Sequence, residues 1–177
     1  MKIEFVSTEE LSDNQKAAIA KLRGTVYPPE VIATLPDRFF SWAAPQWSVF
    51  LWEDDEIISR VGMFVRRIVS NGEEKTIGGV GGVMTHPSRE GKGYASQAMR
   101  EASRRFEADL KVSYALLFCH PHLVAFYKRL GWKPFEGKLL VEQPGGKVEF
   151  SVHGPMVLDI KEPAPFGGSL DLNGLPW

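Results

Sequence analysis

Residues 78–132 constrain this chain more than any other stretch. A glycine-spaced strand carries Gly78, Gly79, Gly81 and Gly82 and runs on through Val83-Met84-Thr85-His86-Pro87. A loop, Glu90-Gly91-Lys92-Gly93-Tyr94-Ala95, then opens a helix; a strand follows, and the stretch closes on Phe126-Tyr127-Lys128-Arg129-Leu130-Gly131-Trp132. A helix that begins near Gly93 behind a strand leaves the main-chain N–H groups of residues 91–95 without intrahelical partners, at the positive end of the helix dipole. Gly91 and Gly93 let the backbone approach a ligand closely and Lys92 adds a mobile cation, so the loop reads as a cradle for a pyrophosphate. A P-loop would need Ser or Thr in place of Tyr94-Ala95 behind a lysine. A Rossmann fingerprint would need Gly or Ala where Ser96 stands and an acid at the next strand end, and the helix continuing through Asp109 does not fit it.

The elements around this stretch follow from periodicity. Residues 2–6 alternate as a first strand, and Ser12-Asp13-Asn14-Gln15 is a capping box opening a helix whose apolar side carries Ala17, Ala18, Leu22 and Val26. Residues 27–46 are broken by Pro28, Pro29, Pro36 and Pro45 yet hold Phe39, Phe40 and Trp42, which predicts a short helix and a lid rather than a solvated linker. Runs at 47–52, 57–69 and 76–85, the last two joined by Asn71-Gly72, predict an antiparallel meander. From 93 to 110 the period changes to that of an amphipathic helix, with Ala95, Met99, Ala102 and Phe106 on one stripe. A buried strand at 114–119, a short helix at 123–130 closed by Gly131, and strands at 139–142 and 147–158 about a Pro144-Gly145-Gly146 turn complete the pattern. From 162 onward Pro and Gly predict an irregular tail ending on the apolar Leu175-Pro176-Trp177.

At 177 residues, 44% of them hydrophobic, the chain is expected to form one domain, residues 1–177, with a substantial core. A formal net charge of −1 gives no basic footprint for nucleic acid, and no stretch approaches the roughly 20 apolar residues of a membrane span. The lone Cys119 rules out an internal disulfide, and with no signal-like start at Met1 a cytoplasmic location is expected.

Val83-Met84-Thr85-His86-Pro87 followed by Glu90-x-x-Gly93-x-Ala95 resembles motif A of the GNAT superfamily of acetyl-CoA-dependent N-acetyltransferases. Ala125-Phe126-Tyr127-x-x-x-Gly131-Trp132 resembles its motif B, in the expected order and separation. The resemblance implies an α+β fold, a mixed and mostly antiparallel sheet splayed in the middle and flanked by helices. It further implies that Val83, Met84 and Thr85 pair through their backbone with the pantetheine arm of coenzyme A while Glu90, Gly91, Lys92, Gly93, Tyr94, Ala95 and Ser96 hold its pyrophosphate. Where the family has Gln or Arg this chain has Glu90, whose charge Arg89 and Lys92 could offset. Tyr127 falls where motif B places the general acid, and a phenol of pKa about 10 suits a thiolate of about 8.5. A backbone N–H near Val83 would polarise the thioester carbonyl, and the missing side chains at Gly78, Gly79, Gly81 and Gly82 would leave room for substrate.

The C-terminal third looks like the aminoglycoside 2'-N-acetyltransferase branch and, more distantly, the nodulation N-acyltransferases, through Gly131-Trp132-x-Pro134-Phe135-x-Gly137 and residues 171–177. That likeness implies substrate contacts at Gly81 and Trp177. Two departures stand against aminoglycosides: the branch's acidic base falls on Gly81, and a second acid falls on Leu175. The base is left open: a water relay could lead to a histidine or to one of Glu30, Asp37, Glu142 and Glu149, each of these acids as readily a surface group.

Other constellations carry less. Cys119 before His120-Pro121-His122 could be a nucleophile, but a free cysteine is more often a buried small hydrophobe. His86, His120 and His122 lack a ligand spacing, so no metal is expected. Arg66 and Arg67 would face opposite sides of a strand, as surface charges. The expectation is therefore acetyl transfer from acetyl-CoA to a primary amine of a small molecule, with no nucleic acid or membrane partner and a homodimer kept as an option. The rivals are a protein or peptide N-acetyltransferase and a non-catalytic acyl-CoA sensor.

Overall fold

A computed structural model describes residues 1–177. The chain order is β1 (Lys2–Ser7), α1 (Asp13–Val26), α2 (Pro29–Ile32), β2 (Trp47–Glu53), β3 (Glu56–Ser70), β4 (Glu73–Thr85), α3 (Tyr94–Arg105), β5 (Tyr114–Cys119), α4 (Val124–Arg129), β6 (Lys133–Pro134), β7 (Glu136–Gln143), β8 (Gly146–Glu149), β9 (Gly154–Asp159) and β10 (Gly167–Asp171). All ten strands share one sheet. Its main path runs β6-β9-β5-β4-β3-β10-β7-β8, with β2 on the first half of β3 and β1 on β2. Only β4 with β5 and β10 with β7 are parallel, so the sheet is mixed and mostly antiparallel, as expected.

Local chemistry sets the boundaries. Ser12 caps α1 by accepting from the Gln15 amide while the Gln15 side chain accepts from the Ser12 amide, the reciprocal pairing that satisfies two orphan donors. Asn71 and Gly72, at φ 50° and 84°, turn β3 into β4 through the left-handed pair that matches strand twist. Alternation along β2 places Val49 and Leu51 under α3 and Phe50 under α1, so the helices cover opposite faces. On α3 the buried stripe is Ala98, Met99 and Ala102, continued by Phe106 in a single π turn (Phe106–Leu110). Burying such a side chain contributes about 1.5–3 kcal/mol, and α3 and the central strands build the larger core in this way.

Two expectations need correction. The run at 147–158 is two strands, because Phe150–His153 leaves the sheet: Phe150 buries its ring against Phe40, Trp42 and Phe118, and His153 turns inward. The tail is not irregular throughout. Its residues Gly167–Asp171 form β10, inserted between β3 and β7, with Leu170 fully buried opposite Ser70 and Leu139. Beyond it, Arg66 donates to the Leu175 carbonyl at 2.6 Å and lies over the Trp177 ring, so Arg66 fastens the tail; Arg67 is the surface charge, paired with Glu74.

Candidate active site

Three features of β4 determine the site. Its parallel pairing with β5 stops at Val80 opposite Leu117, and from Gly81 onward the two strands part. Its register with β3 shifts by one residue, so Gly82 and Val83 together face Val61, with Gly82 at φ 57°. Such a bulge takes main-chain groups out of the ladder, and its residues Gly82 and Val83 line the cavity at the opening between β4 and β5. Third, β4 ends in a 3-10 turn (Pro87–Arg89) that leads to α3, where Gly91 and Gly93 adopt φ 73° and 83°.

At the start of α3 the amides of Gly91, Lys92 and Gly93 donate to no atom of the protein, and those of Tyr94, Ala95 and Ser96 belong to the unpaired first turn. A β-carbon at Gly91 or Gly93 would meet nothing within 4 Å, so both face open space. A dense anion fits this cradle. Lys92 is exposed without an ion-pair partner, and Glu90 is likewise exposed. Arg89 does not offset Glu90 as expected, because Glu53 already binds its guanidinium. Thr85 shares its hydroxyl with Ser59 at 3.0 Å, and the Met84 side chain is buried beneath α1, leaving only backbone at that position for a ligand.

The opening between β4 and β5 leads into a cavity of about 440 Å³ lined by Gly81, Gly82 and Val83, by Tyr127, and by the lid segment 27–46. Tyr127 is 5% exposed, packed by Phe126 and Trp132, and its hydroxyl makes no hydrogen bond in the protein. Burial, with smaller contributions from Cys119 and Tyr27, pushes this phenol far above the ordinary tyrosine range, so it stays protonated at neutral pH. Cys119 is a buried thiol 3.5 Å from Met156 Sδ, and burial raises its pKa too, which leaves it inert as a nucleophile.

Of the four glycines of β4, only Gly82 has open space beside it. A β-carbon on Gly78 would stand 2.5 Å from the Phe106 ring, and one on Gly79 would stand 2.6 Å from Cζ2 of Trp177. One on Gly81 would stand 2.8 Å from the Trp177 carbonyl carbon. Gly78, Gly79 and Gly81 are therefore glycines because the chain's own aromatic residues occupy that space. Trp177 lines the cavity, but its indole belongs to the core, stacked on Phe64 at 5.4 Å and donating from Nε1 to the Leu116 carbonyl at 3.1 Å.

The structure also assembles a polar cluster that sequence spacing did not disclose. His153, 7% exposed, places Nε2 3.1 Å from Asp37 Oδ2, while its Nδ1 and the other Asp37 oxygen are buried without partners. The ring of His120 meets that of His153 edge-on at 4.2 Å, and His122 stacks beyond it. Desolvation first and the neighbouring His153 second hold the His120 pKa below the usual histidine value; Asp37 pulls the other way, and His122 adds a still smaller lowering. Of the four carboxylates considered as a base, only Asp37 lines the cavity. No group of three or more His, Cys, Asp or Glu side chains is placed to hold a metal, and no helix is long and apolar enough to cross a membrane.

A splayed mixed sheet, a bulged strand and a glycine loop with unpaired amides at the following helix define an acyl-CoA N-acyltransferase fold. The chain belongs to the acetyltransferase (GNAT) domain family, whose model matches residues 7–135. No curated protein matches it. Among solved structures, Escherichia coli ElaA is similar at 18% identity and a TM-score of 0.63, covering 89% of this chain and 99% of that one. An acyl-CoA N-acyltransferase from Pseudomonas aeruginosa gives 17% identity and 0.63, covering 89% and 98%. A GNAT family acetyltransferase from Brucella melitensis, solved in complex with acetyl-CoA, gives 16% identity and 0.54, covering 92% and 94%. At these identities the likeness is one of fold.

Proposed function

We propose that this protein transfers acetyl from acetyl-CoA to a primary amine of a small molecule. One observation carries the reading: Tyr127, whose hydroxyl has no partner in the protein, and the bulge at Gly82–Val83 line the same cavity. In this reading the amides of residues 91–96 hold the pyrophosphate, the freed edge of Val83, Met84 and Thr85 pairs with the pantetheine arm, and the bulge N–H polarises the carbonyl.

The amine loses two protons in the reaction. The first passes from the ammonium to His120, whose charged form Asp37 favours; the free amine then attacks the carbonyl carbon. As the C–N bond forms and the C–S bond breaks, Tyr127 gives its proton to the sulfur and is reprotonated by the second proton leaving nitrogen. The raised pKa of the phenol does not count against this role, since the same desolvation raises the pKa of the departing thiolate.

A cavity roofed by residues 27–46 favours a small acceptor over a peptide lying in an open groove, and a proton donor at Tyr127 would serve no purpose in an acyl-CoA sensor. The cavity lining does not favour aminoglycosides: Arg23, Arg38 and Arg60 outnumber its one side-chain carboxylate, Asp37, so a polycation would meet like charge. The test is thiol release from acetyl-CoA with a panel of small amines. Turnover that collapses in Tyr127→Phe supports the reading; coenzyme binding with no turnover on any amine or peptide would favour the sensor.

A further inference from the structure

Arg60 has no counter-ion. It projects from β3 beside the bulge of β4, half-buried, and its only polar partner is the Ser48 hydroxyl, 3.2 Å from both Nε and Nη2. Nη1 donates to nothing and lies 4.0 Å from where a β-carbon of Gly82 would stand. No carboxylate lies within ion-pairing distance of it, nor of Arg23, which lines the same cavity from α1. Arg38, from the lid, gives Nη1 to the Leu35 carbonyl and covers Phe39. The one side-chain carboxylate of the cavity, Asp37, is taken by His153.

A guanidinium withdrawn from water without an opposite charge is costly, and a second guanidinium nearby adds to the cost. Desolvation first and Arg23 second depress the Arg60 pKa, the direction expected of a cation lacking compensation. A bound anion would reverse both effects. The planar fork of Arg60 suits an oxyanion, and its free edge faces the bulge where the transferred group would sit.

Given acetyl transfer as the reaction, we propose that the acceptor is a compact amine that also carries a carboxylate or phosphate, and that Arg60, seconded by Arg23, binds that oxyanion. Because Nη1 adjoins Gly82, the anion and the reacting nitrogen are only a few bonds apart, as in an amino acid or an aminoalkyl phosphonate. The coenzyme's own phosphates are the other oxyanions at hand, but the cradle for them lies at residues 91–96.

Two readouts separate the possibilities. The first is calorimetric titration of glutarate, and separately of inorganic phosphate, into the protein saturated with coenzyme A. Either anion should bind the wild type, about tenfold or more weaker in Arg60→Gln and measurably weaker in Arg23→Gln, a change at an exposed site that leaves the fold intact; Arg60→Lys should restore part of the loss. The second is kcat/KM for amino carboxylates and aminophosphonates against their uncharged amides, where the anionic amines should lead by about 100-fold. Anion binding without any acetylation would sink the enzyme reading and leave the anion site standing. Amides acetylated as well as the acids, with no anion binding, would overturn the anion site and leave the enzyme. Arg60→Gln weakening acetyl-CoA alone would assign Arg60 to the coenzyme and overturn the anion site as well.

Discussion

The indole of Trp177 occupies the volume that any side chain at position 79 would need, with Cζ2 2.6 Å from where a β-carbon would stand. The ring is held there from three sides, by Phe64 at 5.4 Å, Arg66 at 4.9 Å and the Leu116 carbonyl. Gly79→Ala is therefore expected to destabilise the fold by about 1–3 kcal/mol through overpacking, measured by urea unfolding. An unchanged midpoint would mean that the tail does not pack on β4 as described.

Gly82 differs from Gly79 in kind. Its side-chain volume is open, and its φ of 57° rather than its neighbours calls for glycine. Gly82→Ala is expected to cost about 1 kcal/mol of stability from the left-handed backbone, yet to lower kcat disproportionately by shifting the bulge. A rate unaffected by this change would remove the bulge from the chemistry.

Tyr127 packs through its ring and makes no hydrogen bond through its hydroxyl. Replacing it with Phe should leave stability within about 0.5 kcal/mol and the KM for acetyl-CoA unchanged, while kcat falls about 100-fold. Equal loss of stability and rate would return Tyr127 to a packing role.

The pH profile follows from His120, whose pKa is lowered by burial and by His153 and His122, with Asp37 pulling the other way. Only neutral His120 accepts a proton, so the limb it governs should fall as pH drops through a value below about 6.5, the ordinary histidine pKa. With one amine acceptor throughout, His120→Gln should lower kcat/KM about 10- to 100-fold and erase that limb. A limb that persists unchanged would place the base elsewhere.

What the sequence disclosed was local. The α3 stripe, the Ser12 cap, the Asn71-Gly72 turn and the glycines of the cradle each depend on residues within a few positions of one another, and the structure has them where periodicity and turn chemistry put them. What it hid was long-range. Nothing in a Pro- and Gly-rich tail signals that Gly167–Asp171 will pair with β3 and β7, since Leu170 is the only buried side chain of that strand. His153 sat unremarked inside a run read as one strand, and its partner Asp37 was one of several equivalent acids until the lid folded over the cavity. The four glycines of β4 are visible as an anomaly in the sequence, but for Gly78, Gly79 and Gly81 the cause, Phe106 and Trp177, arrives from distant parts of the chain. Arg60, one of three strand arginines, is set apart by lining the cavity with no counter-ion.

The central claim is that the unpaired amides at the start of α3 bind coenzyme A. Calorimetric titration of acetyl-CoA tests it most directly, using wild type and Gly93→Val, which forces a β-branched residue into a backbone at φ 83°. The expected result is one site per chain, weakened about tenfold or more in the variant while the fold persists. Absence of binding to the wild type, or binding that the variant leaves unchanged, would contradict it.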